Sequence, residues 1–228
     1  MSTSRPDRLT AIAFLLSMQA FLCAAALGES ALLAPAPKDD NAKAPGVLQT
    51  AVLAGGCFWG VEGVYEHVRG VRDVMSGYAG GEANTAHYDA VGSGRTGHAE
   101  SVQITFDPQE VSYGEILRIF FSVAHDPTQL DRQGPDIGTQ YRSAIFYADD
   151  AQRDIASKYI EQLDGSGVFR RAIVTRLEPL QAFYPAEAYH QDFIAKNPRY
   201  PYVVFNDLPK IRNLEKEFPD FYRERSRP

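Results

Sequence analysis

The chain has 228 residues, of which 29 are Asp or Glu and 23 are Lys or Arg, so its formal net charge is −6. Because no run of basic residues interrupts this acidic composition, nucleic acid is not expected as a partner. Two cysteines exclude a disulfide scaffold, and the five histidines show no zinc-binding spacing, so no bound metal or other bound cofactor is expected.

The amino-terminal residues 1–28 have the pattern of a secretory signal peptide. Arg5 and Arg8 precede an apolar run at 11–27, and small residues mark a plausible cleavage site at its end. A membrane anchor, or a lipid attached to Cys23, is the alternative. The sequence therefore predicts an exported protein, either periplasmic or secreted.

Two further segments follow the predicted signal peptide. Residues 29–46 are rich in Ala, Pro, Lys and Asp without periodicity, which predicts a flexible linker. Residues 47–228 are enough for one domain with a full core. This domain has one cysteine and no internal disulfide, so its stability must come from core burial, and we expect a monomer.

The first part of the domain predicts two strands on either side of a helix. Apolar residues 51–54 end in two glycines and indicate a buried strand. From Cys57 onward, apolar residues recur at helical spacing as far as Gly70, and residues 71–78 indicate a second strand. Residues 79–97 form a glycine-rich loop.

Residues 98–107 alternate between apolar and polar side chains, which predicts a strand with one buried face. Period two places four side chains on that face: Glu100, Val102, Ile104 and Phe106. Ser112 then begins a capping box, in which Glu115 is the third residue after it, and this predicts a helix through Ala124.

The second half of the domain continues with alternating elements and long irregular gaps. It predicts, in order, a polar loop at 125–140, a strand at 144–147, a helix at 151–163, a strand at 172–177, and helices at 186–196 and from about 208. Pro185 is placed like the first residue of the second helix. This order favours an α+β fold, a two-layer sandwich with a ferredoxin-like mixed sheet.

Cys57 is the most informative residue of the domain. Its thiol has no partner cysteine, so it is inert filler, a metal ligand or a reactive group. The strand, the glycine turn and the helix start predict that its sulfur lies near backbone N–H groups, which favour the thiolate over the thiol. The sequence therefore indicates a reactive cysteine.

Glu100 is the second informative residue. A carboxyl group on a buried face loses hydration, and it usually keeps its proton as a result. A protonated glutamate can act as a general acid. The alternative is that the strand frays at its start and leaves Glu100 exposed.

Aromatic residues and one histidine are further site candidates. Phe58 and Trp59 follow the cysteine between glycines and could form an apolar wall that suits a methyl group on sulfur, although core packing is the alternative. Tyr88 and Tyr141 can donate hydrogen bonds without carrying charge. His190 could contact a ligand or simply pack against its neighbours.

Six motifs span residues 50–205 in the order in which one family carries them. They are Gly56-Cys57-Phe58-Trp59-Gly60, Gly77-Tyr78-Ala79-Gly80-Gly81, Gly97-His98-Ala99-Glu100, His125-Asp126-Pro127-Thr128-Gln129, Asp136 through Ser143, and Tyr189-His190-Gln191-Asp192. Through them the chain resembles the A-type peptide methionine sulfoxide reductases.

The resemblance implies a reaction and a set of residues for it. Cys57 would attack the sulfur of the S epimer of methionine sulfoxide and become a sulfenic acid, while Glu100 protonates the oxygen. Tyr88 and Tyr141 would donate hydrogen bonds to that oxygen. The substrate site would comprise Phe58, Trp59, Asp136 and His190, and the substrates would be oxidised proteins or peptides.

The chain departs from many members of that family in one respect. Those members carry cysteines toward the carboxyl terminus that resolve the sulfenic acid, and this chain has none after Cys57. An external thiol is therefore expected to regenerate the enzyme, either a small thiol or a thioredoxin-like protein, with dithiothreitol serving in vitro.

Two other classes of protein remain possible from the residues alone. A cysteine peroxidase or hydrolase would use the same thiolate, but no histidine stands beside Cys57 in the sequence to act as its base. A secreted binding module would keep Cys57 as buried filler.

Overall fold

The computed structural model describes residues 32–40 and 46–225. The signal peptide predicted at 1–28 lies outside this part of the chain and stays a prediction. No helix within the described ranges is both long enough and apolar enough to cross a bilayer.

The described chain forms eight strands, six α-helices and two π-helical turns. The strands are β1 (Gln49–Gly55), β2 (Val71–Ala79), β3 (Ala99–Phe106), β4 (Arg132–Gln133), β5 (Asp136–Ile137), β6 (Ser143–Tyr147), β7 (Arg176–Pro179) and β8 (Phe183–Pro185). The α-helices are α1 (Phe58–Glu66), α2 (Tyr88–Val91), α3 (Tyr113–Ile119), α4 (Asp150–Ser166), α5 (Phe193–Lys196) and α6 (Leu208–Glu217), and the π-helical turns are Phe120–Ala124 and Val203–Asp207.

Six of the strands form one mixed sheet in the order β7-β6-β1-β3-β2-β8. The pair β6–β7 is parallel and the other neighbours are antiparallel. The inner four strands, with a helix between β1 and β2 and another between β3 and β6, have the arrangement of a ferredoxin-like unit. The predicted α+β fold with a mixed sheet is therefore confirmed.

The main core lies on one face of the sheet. Val102, Ile104 and Phe106 on β3 have no exposed surface and pack with apolar residues of α1, α3 and α4. Full burial of each such side chain contributes about 1.5–3 kcal/mol. A smaller cluster of mostly small side chains covers the other face: Val52, Ala54, Ala79, Ala99, Ala144 and Phe146.

The predicted helix at 186–196 is wrong for most of its length. The preceding residues Phe183–Pro185 form an edge strand on β2, so Pro185 ends a strand instead of beginning a helix. An edge strand tolerates proline because one side of it makes no ladder hydrogen bonds. The side chain of Gln191 then bonds both the N–H and the carbonyl oxygen of Ser76, at 2.9 Å each. Asp192 adopts a left-handed φ of 55°, so a helix begins only at Phe193.

The other differences are smaller. The strand predicted at 172–177 lies at Arg176–Pro179. The loop at 79–97 contains the short helix α2, and the loop at 125–140 contains the hairpin of β4 and β5. The capping box is confirmed, since the Ser112 hydroxyl oxygen accepts a hydrogen bond from the backbone N–H of Glu115 at 3.1 Å.

The described part of the predicted linker differs from a flexible segment. Ala34 has no exposed surface, and its N–H donates to the Ser122 hydroxyl oxygen at 3.0 Å. The Tyr159 hydroxyl donates to the carbonyl oxygen of Pro35 at 2.8 Å. Residues 32–40 therefore pack along α3 and α4. Side chains of these helices and of the π-helical turn after α3 form hydrogen bonds with the backbone of the segment, which its composition predicts to face solvent.

Helix α1 buries two neighbouring carboxyl groups, Glu62 and Glu66, which are 2 % and 8 % exposed. Burial, and next the charge of Glu66, raises the pKa of Glu62 to about 8. Burial raises the pKa of Glu66 to about 7, although Arg225 forms an ion pair with it at 2.9 Å.

Replacing Glu62 with Gln is expected to make the free energy of unfolding less dependent on pH. The folded pKa of Glu62 is above its unfolded value of 4.5, so its contribution is full below that value and is lost as pH rises through about 8. The wild type should lose several kcal/mol over this window, and E62Q should lose less. Urea unfolding at several pH values measures the difference, with the exposed Glu161→Gln as the control. Identical pH slopes for E62Q and wild type would contradict the prediction.

Candidate active site

Cys57 is the N-cap of α1, and the turn before it requires glycine. Gly56 has a φ of 93°, and a Cβ there would lie 2.6 Å from the side chain of Gln133. Both the left-handed backbone and the missing space exclude other residues. The turn places the Cys57 sulfur at the amino-terminal end of α1, where the nearby backbone N–H of Trp59 lowers the pKa of the thiol.

The cysteine opens into a cavity of about 140 Å³. Eight residues line it: Cys57, Phe58, Trp59, Tyr88, Glu100, Asp136, Tyr141 and Tyr202. Seven of these are the sequence-predicted site residues, brought together from five separate parts of the chain. No histidine is among them, so a histidine base of the kind that a cysteine hydrolase needs does not face the thiol.

His190, the remaining predicted site residue, lies behind the cavity wall. Its Nδ1 accepts a hydrogen bond from the indole Nε1–H of Trp59 at 3.1 Å, and its ring lies 4.9 Å from that of Phe58. Its side chain is 2 % exposed. His190 therefore orients the aromatic wall instead of contacting a ligand in the cavity.

Glu100 is buried, as its place in the alternating pattern of β3 predicts. It is 3 % exposed, lies opposite Tyr78 in the β2–β3 register, and accepts a hydrogen bond from the N–H of Phe58 at 3.1 Å. Burial raises the pKa of Glu100 to about 8, although the Phe58 N–H lowers it. At neutral pH this carboxyl holds a proton, so it can donate one to an oxygen in the cavity.

The expectation that Cys57 is a thiolate is wrong for the substrate-free protein. Burial, followed by the negative charge of Glu100, raises the pKa of Cys57 well above its usual value. The N–H of Trp59 lowers that pKa but does not outweigh the loss of hydration, since the residue is only 9 % exposed. The structure therefore holds a thiol beside a protonated acid.

Tyr88 and Tyr141 reach the cavity from two loops that are bonded to each other. Arg142 donates from Nη2 to the carbonyl oxygen of Gly97 at 3.1 Å, which joins the two loops near these tyrosines. The Tyr88 N–H donates to Oε1 of Glu187 at 2.9 Å. Burial, followed by the charge of Glu100, raises the pKa of both phenols, so both remain hydrogen-bond donors at neutral pH.

Tyr202 lines the cavity but was not singled out from the sequence. Its hydroxyl donates a hydrogen bond to Oδ2 of Asp136, and this contact orders both side chains. Twelve tyrosines occur in the chain, and no local pattern distinguishes this one. Tyr202 is identified only in the tertiary structure, where the segment before α6 approaches the β4–β5 hairpin.

Phe58 and Trp59 form the apolar part of the cavity. Phe58 is 1 % exposed, and its ring centroid lies 6.5 Å from that of Trp59 with the planes tilted by 38°. Trp59 also stacks on Phe193 at 3.6 Å. This packing fixes the indole, so the wall beside the sulfur is rigid and suits a small apolar group.

The site combines a thiol, a protonated carboxyl, three phenols and an aromatic wall. This combination defines a class of protein, the thiol-dependent oxidoreductases, whose substrate here would carry an oxygen atom beside a small apolar group. Within the described ranges, no group of three or more His, Cys, Asp and Glu side chains is placed to hold a metal ion.

Comparison with known proteins gives the family. The profile of the family described as "Peptide methionine sulfoxide reductase" matches residues 49–221. A relative named peptide methionine sulfoxide reductase MsrA 2, from Mesorhizobium japonicum, is 58 % identical over 82 % of this chain and 95 % of its own length. A relative of the same name from Synechocystis is 54 % identical over 78 % of this chain and 83 % of its own.

Two solved structures have the same fold. Reduced Mxr1 from Saccharomyces cerevisiae is 36 % identical, with a TM-score of 0.60 over 70 % of this chain and 91 % of that one. Methionine sulfoxide reductase A of Corynebacterium diphtheriae is 34 % identical, with a TM-score of 0.58 over 77 % and 89 % of the two chains. The chain belongs to the peptide methionine sulfoxide reductase A family, and it reduces the S epimer of methionine sulfoxide to methionine in protein repair.

Proposed function

We propose that Cys57 is the nucleophile of this reduction and Glu100 its general acid. The Cys57 sulfur attacks the sulfoxide sulfur and forms a sulfur–sulfur bond. The protonated oxygen then moves to the cysteine sulfur, while the original sulfur–oxygen bond and the sulfur–sulfur bond break, which leaves methionine and a Cys57 sulfenic acid. In this step the methionine sulfur gains two electrons and the cysteine sulfur loses two. The observation that carries the proposal is that both groups line one cavity of about 140 Å³.

Proton transfer follows from the state of the two groups. Expulsion of an unprotonated oxide is prohibitive, so Glu100 gives its proton to the sulfoxide oxygen and takes back the proton that the thiol loses. Such general acid catalysis is worth about 10²–10⁴ in rate. Tyr88 and Tyr141 donate hydrogen bonds to the same oxygen, which the raised pKa values of both phenols support.

The aromatic wall orients the substrate. The methyl group on the sulfoxide sulfur lies between Phe58 and Trp59, where apolar contacts are favourable and water is excluded. Asp136 orders the opposite side through its hydrogen bond with Tyr202. His190 acts through Trp59 and keeps the indole in place.

Turnover uses an external thiol. Two thiol groups reduce the sulfenic acid to the Cys57 thiol, forming one water and one disulfide. The absence of any cysteine after Cys57 in the sequence supports this, because no second thiol of the domain can resolve the intermediate. The donor is a small thiol or a thioredoxin-like protein, and no metal or other bound cofactor takes part.

The location of the enzyme is also a proposal. The charged start and the apolar run within 1–28 support export, which makes the substrates periplasmic or secreted oxidised proteins, and we propose that the enzyme acts as a monomer. Mass measurement of the mature protein from cell fractions would test the proposed export. A cytoplasmic form that still begins at Met1 would contradict it.

A peptide that contains both epimers of methionine sulfoxide tests the reaction. With dithiothreitol as the reductant, the full chain should consume the S epimer and leave the R epimer. Dimedone added in place of the thiol should label Cys57, since it traps sulfenic acids, and peptide mapping locates the adduct. Equal consumption of both epimers, or turnover without a trapped sulfenic acid, would contradict the proposal.

A further inference from the structure

Asp207 is a buried carboxyl group that the proposed reaction does not use. It is the last residue of the π-helical turn before α6 and has no exposed surface. Neither of its carboxyl oxygens has a hydrogen-bond partner among the described residues. An unpartnered buried carboxyl costs free energy, so its presence is not explained by stability.

This carboxyl lies against the first turn of α1. A Cβ on Gly60 would overlap Oδ1 of Asp207 and would lie 2.8 Å from Nζ of Lys210. Because Gly60 has no side chain, there is space for the Asp207 carboxyl beside it. The same turn begins immediately after Cys57, so Asp207 lies close to the helix end that carries the sulfur.

The electrostatic surroundings of Asp207 are mixed. Burial raises the pKa of Asp207 to about 7, while Lys210 on α6 lowers it and Asp136 on β5 raises it. In turn, burial, Glu100 and then Asp207 raise the pKa of Cys57, in that order. Asp207 is therefore a second acid that opposes a negative charge on the sulfur.

We infer that Asp207 is a positioning residue whose charge sets the pH range in which the Cys57 thiol reacts, an inference that rests on Cys57 being the proposed nucleophile. Protonated Asp207 adds no charge beside the sulfur. Ionised Asp207 adds one and disfavours the thiolate. Besides the charged groups named above, Tyr202 is a titratable neighbour, and it stays protonated because burial raises the pKa of its phenol.

Alkylation of Cys57 by iodoacetamide tests this inference in the full chain. Both proteins carry Cys23→Ser, so that Cys57 is the only thiol, and one also carries Asp207→Asn, which keeps the shape but cannot ionise. The two should react equally below about pH 6, where Asp207 is protonated, and D207N should react faster above about pH 8. If the substitution lowers the pKa of Cys57 by one unit, the thiolate fraction rises tenfold, and each thiolate reacts about threefold more slowly. The expected gain in alkylation rate is therefore about threefold.

Asp220→Asn is the matched control, since it removes one negative charge at an exposed position. Salt screens such a charge, so its alkylation profile should equal that of the wild type. Coincident profiles for D207N and wild type would overturn the inference. Alkylation needs no sulfoxide, so this result is independent of whether the proposed reaction takes place.

A second measurement keeps the inference testable if D207N does not fold. Carbon-13 NMR of the Asp carboxyl groups in the otherwise wild-type chain should show one aspartate that titrates near 7 and perturbs the signal of Cys57. Sequential assignment of the isotope-labelled wild-type chain identifies the Asp207 signal without any substitution. Titration of Asp207 below about pH 5 would mean that its charge does not change in the working range, which contradicts the inference.

Discussion

Replacing Cys57 with serine is expected to lower the rate of methionine sulfoxide reduction by at least about 10³-fold. A hydroxyl is a much weaker nucleophile than a thiol, and it cannot hold the transferred oxygen as a sulfenic acid. The fold should be retained, because Cys57 is the N-cap of α1 and serine is favoured at that position. Single-turnover release of methionine and thermal unfolding measure the two effects separately.

Cys23→Ser is the matched control for this substitution. Cys23 lies in the predicted signal peptide and outside the described residues, so its loss should leave the reaction rate unchanged. A folded C57S protein whose rate stays within about tenfold of the wild type would contradict the nucleophilic role of Cys57.

Replacing Glu100 with Gln is expected to slow sulfenic acid formation by about 10²–10⁴-fold. The amide oxygen of Gln can still accept the hydrogen bond from the Phe58 N–H, so the side chain keeps its place, but it has no acidic proton to donate. Rapid mixing with a peptide sulfoxide, followed by quantification of methionine before turnover, measures this step.

The pH dependence of this step provides a second test of Glu100. Burial raises the pKa of Glu100 to about 8, so its protonated fraction in the wild type falls as pH rises through that value. E100Q should lack this loss of rate on the alkaline side. The exposed Glu161→Gln is the control and should keep both the rate and the pH profile. An E100Q protein with the wild-type rate would remove Glu100 from the mechanism.

Much of the fold follows from local patterns. The alternation at 98–107 predicts β3, its buried face and the burial of Glu100 on that face, because a strand has a side-chain period of two. Ser112 predicts the start of α3, since its hydroxyl satisfies a backbone N–H that the helix leaves free. Cys57 is predicted as a site residue because a glycine turn and a helix start surround it.

Other elements do not follow from local patterns. The segment 186–196 follows a proline placed like a first helical residue, but the Ala186 N–H donates to the carbonyl oxygen of Ser76 on β2, and the Gln191 side chain donates to the carbonyl oxygen of Ala186. Bonds to a strand distant in the sequence therefore override the predicted helix. Residues 32–40 have the composition of a linker, yet they pack on α3 and α4 because donors on those helices face their carbonyl oxygens.

The sequence by itself determined the class of the reaction, since the motif around Cys57, the buried face of β3 and the order of six motifs identify a cysteine-based sulfoxide reductase. The tertiary structure alone decided the protonation of the site, the place of Tyr202 in its lining and the position of Asp207 against the first turn of α1. The physical reason is that hydration, charge and contact depend on what surrounds a group in space. A helix start favours a thiolate locally, and burial beside acids from β3 and the turn before α6 reverses that preference.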